Sequence, residues 1–137
     1  MNKYIKALAL ILVSIMFFTN AAYSAQKEIL LKTTSTWDDT EYKKLNIKHP
    51  EVTVLKITIG VGEKLPMHKH DLMNIAYVKQ GVLTVITDKK DQVTIHEGAC
   101  LPELVGKYHY GKNTGNVPVE LIVFYVGKKG TPLSVNK

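Results

Sequence analysis

From residue 50 onward the chain alternates apolar and polar positions with a period of two. In residues 52–59, Leu55, Ile57 and Ile59 fall on one face, and Lys56 and Thr58 on the other. That is the pattern of a strand with one face in a core. Further strands are expected at 74–79, 82–87, 92–96 and 99–101, with 65–70 extended. Turns separate them at Gly60-Val61-Gly62, Gln80-Gly81, Asp88-Lys89-Lys90-Asp91 and Glu97-Gly98. A last long strand, 119–126, is apolar on both sides: Val119, Leu121, Val123 and Tyr125 alternate with Ile122, Phe124 and Val126. Both faces should therefore be covered, one by a barrel interior, the other by an N-terminal arm or a second subunit. No later stretch shows a 3.6-residue period. Many short strands at regular spacing predict an all-β sandwich or closed barrel.

The N-terminus breaks the pattern. Lys3 and Lys6 precede an apolar run at 7–18, and Ala22-Tyr23-Ser24 puts small residues where a signal peptidase reads. The run, about 12 residues, falls short of the ~20 needed to span a bilayer. We therefore expect a signal peptide over 1–24, a periplasmic or secreted protein, and no stable membrane insertion once the signal is removed. Residues 25–49 read as an N-terminal arm, with a strand at 28–33 and Trp37 plugging the barrel. Residues 50–127 form the barrel, and 128–137 a loosely held C-terminal tail.

Charge and cysteine content narrow the partners. All 18 basic residues are lysines, scattered along the chain. Without arginine's planar fork, a dedicated nucleic-acid reader is not expected. After signal removal, sixteen lysines face twelve acids, a formal charge of +4 instead of +6, which suits a solvated surface with weak attraction for anions. The lone Cys100 has no internal disulfide partner and reads as a small buried residue on a strand.

The chemistry-bearing residues lie between 62 and 113. His68 and His70 are two apart, so on a strand their rings share a face. His109 comes from a distant stretch and completes a set of three. Three neutral imidazoles hold one divalent transition metal (Fe, Zn, Mn, Ni or Cu) and leave positions open for water or ligand. Glu103, in the turn before His109, is a candidate replacement carboxylate or general base, although an exposed loop acid is the plainer expectation. His96 and His49 read as surface residues, Tyr77, Tyr108 and Tyr110 as packing residues, and Met67 and Met73 as gap fillers. No G-x-S-x-G elbow, phosphate loop, C-x-x-C or H-E-x-x-H helix competes.

The spacing resembles the two motifs of the cupin superfamily. Gly62, His68, His70 and Gly81 match G-x5-H-x-H-x3-E-x6-G, with Asn74 in the glutamate position. Gly98, Gly106, His109 and Asn113 match G-x5-P-x-G-x2-H-x3-N, with Leu104 in place of proline. The resemblance implies a double-stranded β-helix (jelly-roll) barrel, often dimeric, with His68, His70 and His109 on a metal and Asn74 as a weak fourth ligand. Asn74 carries no charge. A divalent ion held by this set would keep a net charge near +2, drawing an anionic ligand into its open positions. As an enzyme, the chain would be a metal-dependent oxygenase or isomerase acting on a small anionic molecule. The other readings are a non-catalytic barrel that binds or senses a small molecule or metal, and a structural barrel with a decayed site.

Overall fold

The computed structural model describes residues 25–137, so the expected signal peptide lies outside the described residues. Every regular element described is a strand: β1 (Pro50–Ile59), β2 (His68–Lys69), β3 (Met73–Gln80), β4 (Val82–Thr87), β5 (Gln92–His96), β6 (Cys100–Pro102), β7 (His109–Asn113), β8 (Val119–Lys128) and β9 (Val135–Asn136). They form two antiparallel sheets, ordered β1-β8-β3-β6 and β5-β4-β7-β2-β9. Apart from the β4–β5 hairpin, consecutive strands pass from one sheet to the other, giving the jelly-roll barrel expected above.

The longest ladder sets the register. β1 pairs with β8 from Pro50 opposite Lys128 to Ile59 opposite Val119. Side chains alternate across a strand, so slipping this ladder by one residue would turn Lys56 and Thr58 into the core. As paired, Ile59, Val119, Leu121, Val123 and Tyr125 are buried together with Ala76, Val78, Leu83, Val85 and Leu101. The opposite face of the first sheet stays open: Val52, Val54 and Phe124 are 66%, 52% and 46% exposed.

Two local expectations need correction. Residues 28–33 form no strand and are mostly exposed, because no neighbouring edge takes their backbone hydrogen bonds. The arm does pack on the barrel through Trp37, whose backbone N–H donates to the Pro102 carbonyl at 2.9 Å. The C-terminal tail is not loose: β9 adds to the edge of β2, with Asn136 opposite His68 and Val135 opposite Lys69.

Gly81 ends β3 in the left-handed region, with φ of 86°. A Cβ there would lie 3.0 Å from the Pro118 carbonyl oxygen and 3.2 Å from the Val119 Cα, both rigid backbone atoms. Gly81→Ala therefore combines strain with a clash. It should cost about 1–3 kcal/mol, read as a lower denaturant midpoint at unchanged slope.

Candidate metal centre

The histidine cluster follows from strand register. His68 on β2 pairs directly with His109 on β7, so their side chains rise side by side from the same face. His70, two residues beyond His68, joins that face. The backbone N–H of Gly106 donates to the His70 carbonyl at 2.7 Å, folding the loop between β6 and β7 against β2. The three ring centroids lie 4.8, 4.9 and 5.1 Å apart. All three side chains are buried, His68 at 9% exposure and His70 and His109 at 2%.

Each ring is oriented by one backbone carbonyl. His68 Nδ1 donates to Pro66 O at 2.7 Å, His70 Nδ1 to Leu133 O at 2.7 Å, and His109 Nδ1 to Lys107 O at 2.9 Å. A carbonyl only accepts, so each Nδ1 must carry the proton. In the neutral rings, the Nε2 lone pairs are then left free, which is how metal-binding imidazoles are held. One ligand atom from each ring lies within 4.8 Å of the others. The donor set fits a transition metal.

Glu103 is the main correction. It is 8% exposed, not an exposed loop acid. Leu101 points inward from β6, and Glu103, two residues on, keeps that direction. Its Oε2 lies 3.2 Å from His70 Nε2 and 3.1 Å from His109 Nε2. Burial alone would raise its pKa, but the two imidazoles outweigh burial and hold its carboxyl well below the usual range. For His70, burial opposes protonation, yet the Glu103 carboxylate pushes the pKa up. His68 is shifted down, by burial first and then by repulsion from the other two rings.

These side chains border a cavity of about 30 Å³ whose apolar wall includes Ile57, Leu65, Leu83, Val85, Leu121 and Val123. On this measure a water needs about 10–15 Å³, so the space suits an ion with one or two small ligands. Tyr125, inward on β8, also borders it. Burial, aided by the Glu103 charge, pushes its hydroxyl up to about 12, so it stays a hydrogen-bond donor. Its parity with Val119, Leu121 and Val123 was the signal for this position, masked by its reading as a core residue.

The other candidates are placed elsewhere. Asn74 is 1% exposed but does not line the cavity, and neither its Oδ1 nor its Nδ2 has a hydrogen-bond partner. Trp37, Tyr77, Tyr108, Tyr110, His96 and Cys100 are also absent from the cavity wall. Cys100 is half-buried, and burial raises its thiol pKa. Asn113 is structural: its Nδ2 donates to Ile59 O at 3.0 Å and to Val117 O at 2.8 Å, pinning the end of β1 beside β7.

A family model described as "Cupin domain" matches residues 55–125, just over half of the chain. The chain belongs to the cupin family. Solved structures share its fold. A cupin-like protein from Thermotoga maritima aligns with a TM-score of 0.56 at 13% identity, over 63% of this cupin and 64% of that chain. Protein BH2720 from Bacillus halodurans aligns at 0.52 and 23% identity, over 62% and 68%. The DMSP lyase DddQ from Ruegeria pomeroyi aligns at 0.54 and 17% identity, over 63% of this cupin but only 43% of the lyase. Identities this low speak for the fold alone. No curated protein sequence matches the chain.

Proposed function

We propose that this cupin is an exported protein that binds one divalent transition metal through His68, His70 and His109 and uses it on a small molecule. One observation carries this reading: three separate carbonyls fix the three Nδ1 protons, so three Nε2 atoms converge on one buried cavity. Bound there, the metal would supply Lewis acidity or redox capacity for an oxygenase or isomerase reaction. The chain supplies the rest. The apolar wall excludes bulk water, and the neutral Tyr125 hydroxyl can donate to an anionic oxygen. A cavity of about 30 Å³ limits the molecule to a few heavy atoms, such as a small carboxylate.

Metal analysis of protein exported by its native host tests this. About one ion per chain, lost in His68→Ala, is expected; a content far below one that His68→Ala leaves unchanged would reject it. N-terminal sequencing of the same sample should begin near Ala25. The second reading, a non-catalytic binder or sensor, is favoured by the small cavity. Stoichiometric metal without oxygen uptake or turnover across small carboxylates and diketones would select it.

A homodimer is part of the proposal. On the outer face of the first sheet, Val54, Phe124, Ile75 and Pro102 stand in one row across β1, β8, β3 and β6. Val52, Val126 and Met73 form the next row. A second copy would cover this continuous apolar face. Phe124→Lys should convert a dimer into a monomer in sedimentation; an unchanged dimer would place the interface elsewhere.

A further inference from the structure

We propose that the carboxylate of this metal site has moved one strand over, so that Glu103 is the fourth ligand and Asn74 is not a ligand. This rests on the three-histidine reading above. The motif places a ligand on β3 at residue 74, and here that residue is an uncharged asparagine. Its neighbour across the β3–β6 pair is Glu103, whose backbone N–H donates to the Asn74 carbonyl at 3.1 Å. The side chains part ways from there. Glu103 reaches the cavity shared with the three histidines, whereas Asn74 does not border it.

The contacts of Glu103 call for a cation. Its Oε2 faces two Nε2 atoms at 3.2 and 3.1 Å. Both rings already donate their Nδ1 protons to carbonyls. In the neutral rings those Nε2 atoms are lone pairs facing a carboxylate oxygen, three acceptors with no donor between them. Such a set is stable only around positive charge: protons added to the rings, or one metal ion. Two ligands at about 2.0–2.2 Å from one ion are themselves about 2.8–3.6 Å apart at octahedral to tetrahedral angles, and both Glu103–histidine separations fall in that span. A carboxylate 8% exposed against an apolar wall also needs a paired charge to be tolerated there. Asn74 is the rival donor, since its buried amide oxygen lacks a partner, but it is neutral and lies off the cavity.

With Glu103 ligating, a divalent ion keeps a net charge near +1. The expectation of a site near +2 therefore gives way to the charge of a carboxylate-bearing site, reached from a different strand.

The experiment is zinc binding by the full exported chain, measured by chelator competition, with cobalt absorption spectra alongside. Glu103→Gln should weaken zinc binding by at least roughly tenfold, because even the loss of a ligand's hydrogen-bond partner costs 10–100-fold. It should also change the cobalt spectrum. Asn74→Leu should stay within about threefold of wild type, against that same 10–100-fold scale. Zinc affinity and cobalt spectrum both unchanged in Glu103→Gln, or an equal loss in Asn74→Leu, overturns the assignment while His68→Ala still reports on the three-histidine site. Wild type that binds neither metal overturns both readings. A crystal structure of zinc-loaded wild type needs no variant to fold: a Glu103 oxygen about 2.0–2.2 Å from the ion supports the proposal, and one outside coordination distance rejects it.

Discussion

Replacing His109 by alanine should strip this cupin of metal and destabilise the metal-free fold. The ring is 2% exposed, pairs across the sheet with His68, and is oriented by the Lys107 carbonyl at 2.9 Å. Removing it deletes one of three converging nitrogens. Disturbing a ligand's hydrogen-bond partner alone costs roughly 10–100-fold in metal affinity, so losing the ligand should cost more than about 100-fold. A second effect falls on Glu103. Its buried carboxylate would keep only His70 as a close partner, so the metal-free fold should lose part of the roughly 3–5 kcal/mol that stripping a buried charge of every partner costs. Metal content and the urea midpoint of metal-free protein test the two effects separately. A variant that retains one ion per chain at wild-type affinity would remove His109 from the site; lost metal with an unchanged midpoint would remove the Glu103 argument.

Deleting residues 131–137 should weaken metal binding although none of them touches the cavity. His70 owes its orientation to the Leu133 carbonyl, 63 residues away in sequence and 2.7 Å away in space. The same segment pairs β9 with β2, and the Lys137 N–H donates to the Met67 carbonyl at 3.0 Å. Without the tail, the ring carrying a ligand loses its anchor, and the edge of β2, which carries His68 and leads into His70, is bared. Metal affinity should drop by roughly 10–100-fold, measured by chelator competition on protein shown to be folded by circular dichroism. Unchanged affinity would mean that packing alone orients His70 and that the tail is dispensable for the site.

The arm acts on the same loop from the other side. Thr36 Oγ1 donates to Asp38 at 2.6 Å, and Lys107 Nζ binds the Asp38 carboxylate and donates to Thr40 Oγ1 at 2.8 Å. With the Trp37 bond to Pro102, these contacts clamp both ends of the segment that carries Glu103. The Asp38–Lys107 pair is partly exposed, so its own contribution is small; what it does is hold that segment in place.

Much of this was legible in the amino-acid order because strand parity is local. The alternation in 52–59 determined which residues face the core, and the one-residue spacer between His68 and His70 determined that they share a face; in 119–126, apolar on both sides, the inward face was left open. Both follow from the two-residue period of a strand, which needs no knowledge of partners. The glycines also carried local information: Gly62, Gly81, Gly98 and Gly106 all adopt positive φ, between 72° and 86°, as their place at turns suggested.

The rest depended on contacts that no local period encodes. β6 is only three residues long, too short to carry its parity past Pro102, so Glu103 read as a loop acid until the fold turned it inward. The tail read as loose because its bonds run to β2, more than 60 residues back. The residue that opened the question, Asn74, was correctly seen as lacking the expected charge, but whether the site lacks a carboxylate is not a property of one strand. The sequence by itself determined the barrel class, the inward face of its first strand and the shared face of His68 and His70, and its motif spacing pointed to His109 as their third partner. Only the tertiary structure decided that Glu103 faces two of those rings and that Leu133 orients one of them, because both depend on which strands become neighbours.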